Sequence, residues 1–216
     1  MKKAFALLLA AMMMLSMAAC GAQKAPDPQP DPTPAINNPP ADDPEPDPTA
    51  GGKILVVYFS ATGSTKAVAD SLAEVLGADE LELQPVEPYT SADLNWNDAE
   101  SRVSREHSDE TLRSVPLNAA TVENWADYDT VLIGYPIWWG IAAWPVNGFV
   151  QGNDFSGKTV IPFCTSASSP MGESGQLLAQ MAGSGDWQDG KRFGSNATQQ
   201  EVTDWANSLE LTHETE

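Results

Sequence analysis

Basic residues are scarce in this chain. Of its 216 residues, 11 are Lys or Arg against 30 Asp or Glu, which gives a formal net charge of -19. Because nucleic acid is bound through clustered Lys and Arg, this balance excludes nucleic acid as a partner, and it argues against adhesion to an anionic lipid surface. A partner protein with a basic face would instead be steered toward the chain.

Cysteine and histidine are scarcer still, with two of each. Cys20 belongs to the N-terminal segment described next, so Cys164 has no partner for an intramolecular disulfide. Cys164 ends an apolar run, which predicts a buried side chain rather than a catalytic thiol, since no histidine is near it in sequence. His107 and His213 have no metal-ligand neighbours at a useful spacing, so no metal site is predicted.

Long hydrophobic runs are also missing. The N-terminal run follows Lys2 and Lys3, extends over residues 4–17, and is shorter than the roughly 20 residues that a membrane span requires. Small residues then surround Cys20, an arrangement that resembles a bacterial lipoprotein signal. Residues 1–20 therefore predict a lipoprotein signal peptide that ends at a lipidated Cys20, with the chain anchored outside the cytoplasm on the bacterial cell membrane. An ordinary secretory signal with an incidental cysteine is the alternative.

Residues 21–52 are rich in Pro and Asp and contain no aromatic residue. Such a segment cannot bury a core, and Pro together with like charges favours an extended chain. We interpret it as a disordered linker that holds a domain, residues 53–211, away from the membrane. A ligand for a Pro-binding groove is the alternative, which the interleaved acids disfavour.

The domain alternates apolar runs with amphipathic segments. Several of the runs are continuously apolar, which is typical of parallel strands covered on both faces. The alternation predicts an α/β fold with an open, doubly wound parallel sheet. Strands are predicted at 54–59, 80–83, 130–134 and 159–163, with a short or irregular edge piece near 186–193. Helices are predicted at 65–77, 92–107, 141–151, 172–182 and 198–210, the last with Thr198 as its N-cap.

A loop rich in hydroxyl groups separates the first strand from the first helix. A helix start offers unpaired N–H groups and a partial positive charge, and Gly63 lets the backbone approach an anion closely. The loop lacks the Gly-x-x-x-x-Gly-Lys pattern of nucleotide triphosphatases, which suits a single terminal monophosphate better than a triphosphate. A helix cap without a ligand is the alternative.

Two further segments follow the third and fourth strands. Gly134–Gly140 carries Trp138 and Trp139, and a flat aromatic ligand can stack on an indole there; an aromatic cap over the core is the alternative. Cys164–Gly172 is rich in hydroxyls and small residues. Because open α/β sheets bind ligands at the carboxyl ends of their strands, the three segments should converge on one crevice.

Taken together, these segments resemble the flavodoxin family over residues 53 to about 210, most closely the members whose second loop reads Gly-Tyr-Pro-x-Trp-Trp-Gly, here 134–140. The resemblance implies a three-layer fold with strand order 2-1-3-4-5 and FMN as cofactor. It implies that the phosphate is held by Ser60, Thr62, Gly63, Ser64 and Thr65. It implies that Pro136, Ile137, Trp138, Trp139 and Gly140 lie beside the isoalloxazine, with Thr165, Ser166, Ala167 and Ser168 along its pyrimidine edge.

The chain departs from the family pattern in its third loop. Flavodoxins that carry electrons often supply a second stacking aromatic from that loop, whereas residues 165–172 contain none. One face of the flavin would then be open, which favours exchange with a small molecule such as a quinone. Ser64 also replaces the usual Asn, and Ala167 and Ser168 stand where many relatives have Gly.

The resulting hypothesis is a membrane-anchored, extracytoplasmic FMN-binding redox protein. It would transfer electrons to a partner protein or reduce a small acceptor such as a quinone, with a nicotinamide nucleotide as another possible partner. No catalytic residue stands out. The alternative is a cofactor-free binding or structural lipoprotein that retains the fold. A phosphate-ester hydrolase is disfavoured, because the sequence offers no metal cluster and no nucleophile–base pair.

Overall fold

The computed structural model describes residues 52–211. The predictions made for the signal peptide, for lipidation of Cys20 and for the linker as far as residue 51 lie outside the described residues. The strands are β1 Lys53–Tyr58, β2 Asp79–Glu82, β3 Tyr128–Trp138, β4 Ile141–Ala142, β5 Thr159–Ser166, β6 Asp186–Trp187 and β7 Lys191–Gly194. The helices are α1 Ser64–Leu76, α2 Arg102–Ser108, α3 Pro145–Gly152, α4 Ser174–Ala182 and α5 Gln199–Ser208, with single 3₁₀ turns at Glu110–Arg113 and Trp125–Asp127.

The sheet has the strand order β2-β1-β3-β5-β6, and every pair along this path is parallel. β7 pairs in parallel with the carboxyl-terminal half of β5, and β4 forms a short antiparallel hairpin with β3. The chain moves outward from β1 to β2 and then returns to the other side of β1, so the strand order reverses between β1 and β3. The predicted doubly wound α/β fold is confirmed, and folds of this kind bind ligands at the carboxyl ends of the strands between which the order reverses.

Two hydrophobic cores cover the two faces of the sheet. Leu55 and Val57 of β1 face the core beneath α3 and α4, whereas Ile54 and Val56 face the core beneath α1 and α5. Since successive side chains of a strand point to opposite faces, a strand covered on both sides must be apolar at every position. The three layers of the fold follow from the continuous apolar runs of β1, β3 and β5.

Helix ends follow their local signals. α1 ends at Gly77, which adopts the left-handed conformation with φ 61°. Thr198 caps α5 as predicted: its side chain accepts a hydrogen bond from the Glu201 amide, and the Glu201 carboxylate accepts one from the Thr198 amide.

β3 is longer than predicted. It continues four residues beyond Gly134, so the segment Tyr135–Trp138 is a strand and not a loop. The chain then turns back into β4, where the beginning of a helix was predicted. α3 begins only at Pro145, because proline suits the first helical turn and has no N–H to donate. β5 likewise continues three residues beyond its predicted end.

The predicted helix over 92–107 is wrong for most of its length, since α2 spans only Arg102–Ser108. Polar side chains before it bond to nearby backbone instead: Asp98 accepts from the Glu100 amide at 2.9 Å. Ser101 then caps α2 through the Ser104 amide. The edge near 186–193 consists of two short strands, β6 and β7, in agreement with the prediction of a short or irregular piece. No helix within residues 52–211 is long and apolar enough to cross a membrane.

Candidate functional site

A cleft of about 600 Å³ opens at the carboxyl ends of β1, β3 and β5. This volume lies within the usual range of small-molecule sites. None of the residues that line the cleft carries an ionised side chain. The lining consists of Ala61, Thr62, Ser64, Leu94, Trp96, Val103, Pro136, Ile137, Trp138, Trp139, Thr165, Ser166, Ala167, Ser168 and Ser169.

The loop between β1 and α1 is arranged as an anion site. The Ser60 hydroxyl accepts hydrogen bonds from the amides of Gly63 and Lys66, both at 3.1 Å. Gly63 has φ 94° and open space where a side chain would lie, so the backbone is accessible. Within residues 52–211, the amides of Thr62, Ser64 and Thr65 donate to no protein acceptor. These N–H groups stand at the positive end of α1, where an anion is stabilised.

Lys66 is turned away from this loop. Its Nζ lies 2.7 Å from Asp70 Oδ1 and 3.2 Å from the Tyr58 hydroxyl, and the hydrogen bond to Asp70 raises the pKa of Lys66. Since no basic side chain lines the cleft, an anion at the start of α1 would be held by neutral donors and by the helix dipole.

Two buried threonines join the first and third loops. The hydroxyl groups of Thr65 and Thr165 lie 2.8 Å apart, and both residues are buried. Thr165 lines the cleft, whereas Thr65 lies behind the lining. The pair therefore fixes the end of β5 against the start of α1.

A hairpin of β3 and β4 supplies the aromatic wall. Trp139 and Gly140 form its turn with φ 47° and 82°, the signs of a type I′ turn. A tryptophan in this conformation is strained by about 1–3 kcal/mol, a feature that concentrates at functional sites. Trp139 remains 42% exposed and stacks on the His107 ring at 4.3 Å between centroids. Trp138 packs edge-on against Phe59, at 5.6 Å.

A buried carboxylate supports this wall from the segment between β2 and β3. Glu106 is 5% exposed and accepts hydrogen bonds from the Tyr89 hydroxyl at 2.6 Å, from Arg102 Nε at 2.7 Å and from Trp144 Nε1 at 2.7 Å. Burial, reinforced by the bond to Glu106, raises the pKa of Tyr89. Tyr89 and Trp144 in turn contact Trp138 edge-on, so the network fixes the position of that indole.

Arg192 of β7 holds the third loop. Its Nε donates to Ser166 Oγ and to the Ser169 carbonyl, both at 2.9 Å. Its Nη2 donates to the carbonyls of Ser166 and Ala167 at 3.0 and 3.3 Å. These carbonyls are thereby turned toward the guanidinium of Arg192, and the loop is fixed at the edge of the cleft.

The structure brings most of the predicted site residues together. Those in the lining are Thr62, Ser64, Pro136, Ile137, Trp138, Trp139, Thr165, Ser166, Ala167 and Ser168. Ser60, Gly63, Thr65 and Gly140 stand directly next to the lining without belonging to it.

Sequence reasoning missed five lining residues. Two of them, Ala61 and Ser169, lie within the predicted loops without having been assigned to the site. The other three are Leu94, Trp96 and Val103, which come from the polar segment between β2 and β3. The isolated Trp96 was the one feature of the sequence that could have pointed to that segment. The role of Arg192 in holding the third loop had no signal in the sequence.

A flavodoxin family model matches residues 53–209. A candidate flavoprotein from Bacteroides eggerthii DSM 20697 is 39% identical with a TM-score of 0.66, the match covering 74% of this chain and 98% of that one. Another from Bacteroides uniformis ATCC 8492 is 40% identical with a TM-score of 0.66, over 73% and 99% of the two chains. A flavoprotein from Lactobacillus acidophilus NCFM, solved in complex with FMN, shares the fold at 22% identity and a TM-score of 0.52, over 72% and 99% of the chains. No curated protein matches significantly.

Proposed function

This chain belongs to the flavodoxin family, and from that premise we propose that it binds FMN in the cleft and serves as a redox protein. The observation that carries the proposal is the start of α1, where amides that have no acceptor within residues 52–211 border a cleft lined by uncharged side chains, among them Trp138 and Trp139. A planar ligand with one terminal phosphate matches both parts of this arrangement.

The residues of the cleft fit the cofactor in three places. Thr62 and Ser64 would bind its phosphate through amides and hydroxyls. Trp138 and Trp139 would lie along the isoalloxazine and exclude water from it. Thr165 and the loop that follows it would meet the pyrimidine edge with neutral hydrogen-bonding groups. When bound, FMN supplies the electron or hydride transfer, and the protein supplies binding, orientation and electrostatics.

The acceptor is either a partner protein or a small molecule such as a quinone, with a nicotinamide nucleotide as a further candidate. The lack of an aromatic residue among the lining positions of the third loop, residues 165–169, supports a small molecule, since that side of the ring would be accessible. The acidic balance of the chain favours a protein partner with a basic face.

The membrane anchor and the extracytoplasmic location are proposed from the sequence around Cys20. A Cys20→Ser variant tests them by cell fractionation. We expect the unmodified chain in the membrane fraction and the variant in the soluble fraction. Equal distribution of the two would contradict the anchor while leaving the FMN site untouched.

FMN binding is tested by titrating the full Cys20→Ser chain with FMN and following the quenching of flavin fluorescence. Riboflavin, which lacks the phosphate, is the matched ligand. We expect saturable FMN binding that is at least tenfold tighter than riboflavin binding, because hydrogen bonds to a charged group contribute about 1.5–3 kcal/mol.

Ser64→Ala and Ser71→Ala form a matched pair of variants on α1. Ser64 lines the cleft, whereas the Ser71 hydroxyl donates to the Ala67 carbonyl at the exposed surface of the helix. We expect Ser64→Ala to weaken FMN binding about tenfold without affecting riboflavin, and Ser71→Ala to change neither. Failure of the folded chain to bind FMN would overturn the proposal and favour the cofactor-free binding protein. Equal affinity for FMN and riboflavin would remove α1 as the phosphate site.

A further inference from the structure

Trp96 differs from the other tryptophans of this chain. It is 69% exposed, more than any other large hydrophobic residue in the described part of the chain. Its indole has no ring contact and no hydrogen bond within residues 52–211. The other six tryptophans all pack against another aromatic ring; they are Trp125, Trp138, Trp139, Trp144, Trp187 and Trp205. Because Trp96 also lines the cleft, its indole face is available to a ligand bound there.

The segment that carries Trp96 is fixed in place. Asp93 Oδ2 accepts from both the amide and the hydroxyl of Thr90, at 2.9 and 2.7 Å, and these bonds lower the pKa of Asp93. The Asp93 carbonyl accepts from the Val103 amide at 3.0 Å, which ties the segment to α2. The Trp96 amide donates to the Leu94 carbonyl at 2.9 Å. Trp96 is therefore presented on an ordered turn.

Leu94, Trp96 and Val103 form a wall that is separate from the strand-end loops. All three line the cleft, yet they come from the segment between β2 and β3. Val103 packs in one cluster with Trp138 and Trp144, so this wall continues the aromatic face of the hairpin. The residues proposed to hold FMN all come from the three strand-end loops, so this wall has no assigned role in cofactor binding.

The charges around this wall restrict the ligand. No ionised residue lines the cleft. The acids nearest to Trp96 in sequence are Asp98, Asp93 and Glu100; Asp98 and Glu100 are exposed, and Asp93 is half-buried and bonded to Thr90. Arg102 forms an ion pair with Glu106, and Arg105 donates to the Glu100 carbonyl; neither side chain lines the cleft. A nucleotide carrying phosphates would therefore find no basic side chain among the residues that form this wall, and it would lack the free amides that the start of α1 offers.

We propose that Leu94, Trp96 and Val103 form an acceptor subsite that binds an uncharged planar aromatic molecule of the quinone class, stacked on the Trp96 indole. The inference rests on the proposed function, because it assigns the place where the acceptor meets the FMN site. It selects a neutral ring over a nicotinamide nucleotide as the small-molecule acceptor.

The test measures binding of 1,4-naphthoquinone by equilibrium dialysis, with and without oxidised FMN, to the full Cys20→Ser chain. The anionic 1,4-naphthoquinone-2-sulfonate has the same ring and serves as the charged probe. The variants are Trp96→Ala and, as control, Leu112→Ala, which removes an exposed apolar side chain from the same segment outside the cleft. FMN affinity is measured separately for each variant.

We expect Trp96→Ala to weaken naphthoquinone binding about tenfold, while Leu112→Ala leaves it unchanged and FMN affinity varies less than twofold. The sulfonate should bind at least tenfold more weakly than the neutral quinone. Unchanged quinone binding in Trp96→Ala would overturn the subsite. A parallel loss of FMN affinity would assign Trp96 to the cofactor instead, and tighter binding of the sulfonate would overturn the neutral class. If FMN fails to bind, the proposed function falls, while the quinone measurement without FMN still tests the wall.

Discussion

Glu106 allows a quantitative test of how the aromatic wall of the β3–β4 hairpin is held. Its two oxygens divide their donors: Oε2 accepts from Tyr89 and Trp144, and Oε1 accepts from Arg102. In Glu106→Gln the amide oxygen can serve Tyr89 and Trp144, which places the new NH₂ group opposite Arg102. The guanidinium then faces a donor and loses its counter-charge.

The magnitude follows from burial. Breaking a buried ion pair by removing one partner costs about 3–5 kcal/mol. The Arg102 side chain is 18% exposed and also donates to the Glu87 carbonyl at 2.7 Å, so water and that bond offset part of the loss. We expect Glu106→Gln to lower the free energy of unfolding by about 3 kcal/mol, a large share of the usual 5–15 kcal/mol.

Urea denaturation followed by tryptophan fluorescence measures this loss. With a slope near 2 kcal/mol per molar urea, the midpoint should fall by about 1.5 M. Glu110→Gln is the matched control, because Glu110 also pairs with an arginine, Arg113, but its side chain is 83% exposed. Exposed pairs contribute less than about 1 kcal/mol, so this variant should unfold almost like the unmodified chain. If the free energies of unfolding of the two variants differ by less than about 1 kcal/mol, Glu106 does not hold the aromatic wall of the hairpin as argued.

Three further predictions concern the sheet and the third loop. Arg192→Met should speed hydrogen exchange at the amides of 166–169 while the centre of β5 stays protected, and unchanged exchange would show that Arg192 does not order the loop. Burial raises the pKa of Cys164 to about 12, so iodoacetamide should modify this thiol only after unfolding. Because the folded pKa exceeds the unfolded value near 8.5, the thiol contributes stability below about pH 8.5 that is lost as the pH rises toward 12. Cys164→Ala should therefore reduce the loss of stability at alkaline pH, as measured by urea denaturation. Gly134→Ala would place a Cβ against the ring of Phe163, closer than van der Waals contact allows. The variant should lower the melting temperature by several degrees, through about 1–3 kcal/mol of overpacking, and an unchanged melting temperature would contradict this packing.

The parts of the fold that the sequence predicts are those with a local signal. β1 is an apolar run that ends in a hydroxyl-rich turn, and α1 follows with its buried residues at helical spacing. Parallel strands place their carboxyl ends along one edge, so three loops found separately in the sequence could be predicted to converge. The doubly wound α/β fold followed from these patterns, and the resemblance to the flavodoxin family added most of the residues that line the cleft.

The hairpin at Trp138–Ala142 lacked such a signal. Type I′ turns usually carry Asn or Gly at both central positions, and here the first is Trp139. A tryptophan with positive φ persists only where surrounding contacts hold it, and in this case those contacts are the rings of His107 and Trp144. The turn is a tertiary effect, which explains why a loop followed by the beginning of a helix was predicted for this stretch.

The segment between β2 and β3 was predictable least of all, because its order depends on contacts far apart in the chain. Glu106 joins residues 17 positions before it and 38 positions after it. No periodic pattern reports such pairs, and the polar composition that suggested one long helix instead provides caps, short turns and one buried carboxylate.

The proposed phosphate site and the wall of Leu94, Trp96 and Val103 depend on different parts of the fold. The proposed phosphate site consists of the backbone of α1 and of hydroxyls at strand ends, which the sheet topology places wherever the fold forms. The wall of Leu94, Trp96 and Val103 is held by hydrogen bonds within its own segment, none of which involves the phosphate loop. Substitutions in that wall can alter which molecule meets the cleft without disturbing the start of α1. We therefore expect the proposed cofactor binding and the proposed acceptor preference to be separable, and the two sets of variants, Ser64 with Ser71 and Trp96 with Leu112, should change them independently.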